Sequence, residues 1–213
     1  MHIALIGATG FVGSAVLPEL LQRGHRVTVL ARTPSKIAAR DGLTVVQADV
    51  QDAAQVAAAV QGADAVVSAY NPGWTAPDLY DQFLRGFDAI CAGVQAAGVR
   101  RLLVVGGAGS LYVAPGVQLV DTPQFPAEWK AGALAARDAL NRIRTLDGLD
   151  WTFLSPPILL QPGERTGQYR VGQDAPLMNG EQPGSISVAD LAVAMTDELE
   201  QPRHLRQRFT VAN

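Results

Sequence analysis

Three glycines spaced three residues apart, Gly7, Gly10 and Gly13, follow a short apolar run from Ile3 to Ile6. An apolar pattern at helical spacing then continues through Val16, Leu17, Leu20 and Leu21. The order is strand, glycine turn, helix. Such a helix N-terminus presents unpaired backbone N–H groups and the positive end of a dipole, a binding site for phosphate. Gly7 permits the tight turn, Gly10 lets the backbone approach a pyrophosphate, and Gly13 lets helix and strand pack closely. The spacing is G-x-x-G-x-x-G rather than G-x-G-x-x-G. Its weight comes from its place, after the first strand and at the opening of a helix.

The rest of the chain alternates in the same way. Strands are predicted at 2–6, 26–31, 43–47, 64–68, 100–105, 150–155 and 207–212, and helices at 11–23, 52–60, 78–97, 127–145 and 188–200. Apolar runs such as Ala65-Val66-Val67 and Leu102-Leu103-Val104-Val105 fit strands covered on both faces, as in a parallel sheet. Gly24 and Gly98 stand where helices should stop, and Asp52 and Ser187 where two should be capped. The predicted fold is a single α/β domain over residues 1–213, of Rossmann type. Its sheet is doubly wound and mostly parallel, in order 3-2-1-4-5-6 with room for a seventh strand, and helices cover both faces. Two Gly- and Pro-rich stretches, 106–126 and 156–187, interrupt the alternation and are predicted to build a small substrate-side region at the carboxyl end of the sheet.

Composition removes several classes of function. A net charge of −3 without a basic cluster argues against nucleic acid and anionic membranes. Cys91 is the only cysteine, which excludes an internal disulfide and a cysteine-built zinc site. His2, His25 and His204 share no ligand spacing, so no metal is expected. There is no signal-peptide pattern and no apolar stretch of membrane-spanning length. The expectation is a cytoplasmic protein, monomeric or weakly dimeric, acting on a small molecule.

At the end of the second strand an NAD site usually carries a carboxylate. Here Arg32-Thr33-Pro34-Ser35-Lys36 offers two cations and no acid. An arginine there attracts a 2′-phosphate, so NADP(H) is expected ahead of NAD(H). Asp49 fits two roles, accepting from an adenine amino group with Val50 beside the ring, or capping the next helix. The fourth strand ends in Ser68-Ala69-Tyr70-Asn71-Pro72-Gly73, which should face the glycine turn across the switch point.

In order, the segments Ile-Gly-Ala-Thr-Gly-Phe-Val-Gly, Ala-Arg-Thr-Pro, Ala-Asp-Val, Ser-Ala-Tyr-Asn-Pro-Gly, Val-Gly-Gly-Ala-Gly-Ser and Leu-Ser-Pro-Pro make the chain similar to the atypical short-chain dehydrogenase/reductases. It most resembles the subgroup of proposed NADH-flavin reductases, NmrA-like proteins and biliverdin reductase B. The resemblance spans essentially the whole chain. It implies a dinucleotide at Gly7, Thr9, Gly10, Phe11, Val12 and Gly13, and the place of the fourth strand's end sets Ala69, Tyr70 and Asn71 along its ribose and pyrophosphate. It implies 2′-phosphate contacts at Arg32 and adenine contacts at Asp49 and Val50. On the nicotinamide side it implies Gly106, Gly107, Ser155, Pro156 and Pro157.

Typical members of that superfamily use Tyr-x-x-x-Lys, in which the lysine lowers the tyrosine pKa. Four residues after Tyr70, Tyr80, Tyr112 and Tyr169 stand Trp74, Leu84, Gly116 and Gln173, so the pair is missing. Lys130 falls near the family's lysine position, but Pro126 occupies that of its tyrosine. Ser110 sits where the family has a substrate-contacting serine. Ser110 and Lys130 are therefore the catalytic candidates, each with an ordinary structural role as the alternative. Trp74, Tyr112, Phe125 and Trp129 either stack on an aromatic substrate or belong to the core. Without the dyad, carbonyl reduction lacks its proton donor, whereas a flavin accepts hydride and takes its proton from water. The expected activity is NADPH-dependent transfer of hydride to FMN, FAD or a similar planar acceptor. The alternative is an NmrA-like regulator that senses NADP without turnover.

Overall fold

The computed structural model describes residues 1–213. In chain order the first half contains β1 (His2–Ile6), α1 (Gly13–Gln22), β2 (Arg26–Ala31), β3 (Leu43–Gln47), α2 (Ala53–Val60), β4 (Ala65–Ser68) and α3 (Leu79–Ala96). The second half contains β5 (Arg101–Val105), β6 (Tyr112–Ala114), β7 (Val117–Gln118), α4 (Ala127–Ile143), β8 (Asp150–Ser155) and β9 (Leu159–Gln161). It closes with β10 (Arg170–Gly172), β11 (Met178–Asn179), β12 (Gln182–Pro183), β13 (Ser185–Ser187), α5 (Val188–Glu200) and β14 (Gln207–Ala212).

The main sheet has eight strands in the order β10-β14-β8-β5-β4-β1-β2-β3. Seven are parallel and follow the predicted order. The eighth, β10, is antiparallel to β14 at the edge and was not legible as a strand in the sequence. Its three residues, Arg-Val-Gly, are too short to show a period. The apolar runs are explained by two cores. Ala4, Ile6, Val66, Leu102 and Val104 pack beneath α2, α3 and α4. Their neighbours Ile3, Leu5, Ala65, Val67 and Leu103 pack beneath α1 and α5. Alternate residues of one strand thus feed opposite faces, so neither face can be polar.

Helix ends follow the expected chemistry with small shifts. Asp52 caps α2 by accepting from the amides of Ala54 and Gln55, and Ser187 caps α5 by accepting from that of Asp190. The first helix starts at Gly13, two residues later than predicted, because residues 7–12 are spent on the turn.

The stretches 106–126 and 156–187 hold short local pairings: the β6–β7 and β11–β12 hairpins and the parallel pair β9–β13. Two buried carboxylates fasten the second stretch to the sheet's helices. Glu19 of α1 accepts from Arg165 at 2.7 and 2.9 Å. The hydrogen bond from Arg165 holds its carboxyl below the usual range against the cost of burial, with Arg23 adding to the effect. Asp190 of α5 accepts from the amides of Thr166 and Gly167 at 2.8 and 2.7 Å, and from the Thr166 hydroxyl at 2.6 Å. Burial pushes the Asp190 carboxyl up, but these bonds outweigh it and its pKa lies below the ordinary value. Its stabilisation is therefore present above the usual carboxylate range and lost as pH falls through the folded-state value. Asp190→Ala is expected to lower stability by about 3 kcal/mol at neutral pH, because three charge-assisted bonds to a buried carboxylate go. Urea unfolding at neutral and acidic pH checks this: the difference between wild type and variant should shrink on acidification.

Candidate dinucleotide and acceptor cleft

The glycine turn is built by three different constraints. Gly7 has φ +83°, and a Cβ there would lie 2.4 Å from the Ala69 carbonyl oxygen. A Cβ on Gly13 would lie 2.1 Å from the Gly7 oxygen, so this glycine sets the approach of α1 to β1. Gly10 is different: a Cβ would meet only the Gly7 oxygen, at 3.3 Å, and otherwise open space. The Gly10 amide closes the turn on that oxygen at 2.9 Å, while the amides of Phe11 and Val12 find no acceptor within the protein. Unpaired amides at a helix start, beside a glycine with free space over it, match the needs of a pyrophosphate.

This turn opens onto a cavity of about 810 Å³ that runs along the carboxyl ends of β3, β2, β1, β4, β5 and β8. Gly7, Thr9, Gly10, Phe11 and Val12 line its middle, facing Ala69, Tyr70 and Asn71. Arg32 and Lys36 line one end together with Ala48 and Val50. Gly106, Gly107, Pro156 and Pro157 line the other half. The structure therefore brings fourteen of the expected cofactor positions onto one cavity.

The other expected positions lie elsewhere. Gly13 is buried behind the turn. Ser155 is fully buried, with no partner for its hydroxyl. Asp49 is exposed, and its carboxylate accepts from the Gln51 amide at 3.0 Å, closing a local turn, while the cap of α2 is Asp52 instead.

Neither catalytic candidate lines the cavity. Ser110 is 1% exposed, and its Oγ accepts from Arg208 Nη1 at 3.1 Å. Arg208 also donates to the Ser110 carbonyl at 2.9 Å and to the Asp174 carboxylate at 2.8 Å. Ser110 is thus a clasp through which β14 holds the glycine-rich loop against residues near Asp174. Lys130 is exposed on α4, while Trp129, Gly132, Ala133 and Ala136 of the same helix line the cavity. Those four recur at positions i, i+3, i+4 and i+7, one helix face. Lys130 lies off that face.

Some features of the cavity were not expected from the sequence, among them the helix on which Trp74 rests. Trp74 packs over α4 at Gly132, where a Cβ would come 2.7 Å from its ring. Leu119, Thr122 and Gln124 come from the 106–126 loop, and Ile158 and Leu160 from the other. The small-residue face of α4 was the one available signal, since its spacing is visible in the sequence. Tyr112 lies outside the cavity lining, whereas Trp74, Phe125 and Trp129 all belong to it.

The electrostatics are simple. Arg32 and Lys36 are the only charged side chains lining the cavity. Its only other titratable side chain is Tyr70, whose hydroxyl donates to the Gln82 carbonyl at 3.2 Å. Burial raises the Tyr70 pKa, so the phenol stays protonated near neutrality.

Fold and cleft together define a nicotinamide-dinucleotide binding protein. The chain belongs to the NAD(P)H-binding family, which it matches over residues 7–202. It is 39% identical to the uncharacterized protein YwnB of Bacillus subtilis over 100% of this chain and 99% of that one. Among solved structures, a proposed epimerase from Bacteroides thetaiotaomicron shares 44% identity, with 99% and 96% of the two chains covered and a TM-score of 0.92. A proposed NADH-flavin reductase from Streptococcus pneumoniae shares 34% identity over 100% and 99% of the chains, with a TM-score of 0.87. No helix is long and apolar enough to cross a membrane.

Proposed function

We propose that the protein is an NADPH-dependent reductase that delivers hydride to a flavin or a similar planar acceptor. The observation that carries this reading is the division of the cleft into a cationic end and an uncharged, aromatic-rimmed end without a free acid or base. The turn from Gly7 to Val12 holds the pyrophosphate, Arg32 takes the 2′-phosphate, and Ala48 and Val50 flank the adenine. Gly106, Gly107, Pro156 and Pro157 form the nicotinamide side. When bound, the reduced nicotinamide supplies a hydride, two electrons with one proton, and the acceptor takes its second proton from water. Trp74, Phe125 and Trp129 hold a ring face to face with the donor, so the protein contributes proximity and orientation.

The relatives lend this reading partial support, since one is described as a flavin reductase. The epimerase description attached to another fits this cleft poorly. A sugar epimerase of the extended class needs a Tyr-Lys pair, and here Tyr70 is engaged while Lys130 lies outside the cavity.

The test is NADPH oxidation with added flavin, in wild type and in two variants. Ser110→Ala and Lys130→Ala should each change turnover by less than about tenfold, since a true general acid contributes roughly 100-fold or more. A thousand-fold loss of turnover in either would restore a protein proton donor and point to a carbonyl substrate. Tight NADPH binding with no turnover of any acceptor would instead favour a regulator that senses the dinucleotide.

A further inference from the structure

We propose that the acceptor half of the cleft selects uncharged planar rings and discriminates against phosphate-bearing ones, so that riboflavin is preferred over FMN. This rests on the planar-acceptor reading above. Beyond Gly106 the walls are Trp74, Leu119, Phe125, Trp129, Pro157 and Leu160, with Thr122 and Gln124 as neutral polar groups. Trp74 and Trp129 are 60% and 55% exposed, a large apolar area left at the rim. Such area is worth covering with a ring system.

No cation stands at this end to receive a phosphate. Both cations of the cavity, Arg32 and Lys36, lie past the glycine turn at the opposite end, beside Ala48 and Val50. The remaining electropositive feature is the N-terminus of α4, and Glu128 in its first turn already matches that dipole. Lys130, two residues on, is exposed and outside the cavity lining. A phosphate brought here loses its water and gains no charge-assisted bond in return. The neutral ribityl chain of riboflavin pairs with Thr122 and Gln124 at no such cost.

Calorimetric titration of the NADP⁺-bound protein with riboflavin and with FMN tests the binding preference directly, without turnover. Riboflavin is expected to bind at least about tenfold more tightly, because only the phosphate of FMN gives up hydration without a cationic partner in return. Gln124→Lys should raise FMN affinity by about tenfold and leave riboflavin affinity nearly unchanged. Equal or tighter FMN binding to wild type overturns the proposal, as does failure of both flavins to bind. Steady-state oxidation of NADPH with each flavin, run in parallel, separates the two readings. Turnover that favours FMN keeps the reductase and removes the charge selection. Selective riboflavin binding without turnover keeps the selection and removes the reductase.

Discussion

Gly10→Val is expected to abolish dinucleotide binding and leave the fold intact. The space above Gly10 is bounded within 4 Å by the Gly7 oxygen alone, so a side chain there meets almost no protein. What it fills is the place where a pyrophosphate reaches the backbone. The loss should exceed about 4 kcal/mol, a thousand-fold or more in affinity. Neighbouring glycines give the control. Gly7→Ala places a residue at φ +83° with its Cβ against Ala69, and Gly13→Ala drives a Cβ to 2.1 Å from the Gly7 oxygen. Both should lose stability as well as binding. Circular dichroism and titration with NADPH tell the three apart. A folded Gly10→Val protein that binds NADPH normally would reduce the glycine turn to a structural connection.

Arg32→Ala carries the second large effect. Arg32 is exposed at the end of β2 and lines the cavity beside Lys36, with no carboxylate in that lining. The substitution should weaken NADPH binding by about 1.5–3 kcal/mol, roughly 10- to 150-fold, through loss of a charge-assisted phosphate contact. NADH binding should change by less than about threefold, since its ribose hydroxyl offers no charge to the guanidinium. The ratio of the two affinities is the informative quantity, because general damage to the site lowers both. Equal losses for the two cofactors would remove Arg32 as the discriminating residue.

The layered fold was legible because several strands are near-continuous apolar runs, two helices carry side-chain caps and two others end at glycine stops. Local signals of that kind are complete within a few residues. The glycine turn was legible for the same reason, and its three glycines do three separate jobs in the structure. Asp49, Ser110 and Lys130 show what local signals omit. Each stands at a position that the family resemblance associates with a ligand, yet Asp49 is held by the Gln51 amide two residues on, and the other two are placed by how their elements pack. Ser110 turns toward Arg208, 98 residues on. Lys130 is carried off the cleft by a rotation of one residue around α4. Trp74 over Gly132 was invisible for a related reason, since a glycine inside a helix does not announce which ring it receives. Strand β10 became visible only through its pairing with β14.

We propose that this cleft transfers hydride to a planar acceptor by placement alone. Anaerobic mixing of the protein with NADPH and a flavin, followed by the flavin's absorbance, tests it most directly. The flavin is expected to bleach with one NADPH consumed per flavin, at a rate that Ser110→Ala and Lys130→Ala leave within about tenfold of wild type. An unbleached flavin in the presence of saturating, demonstrably bound NADPH would contradict it.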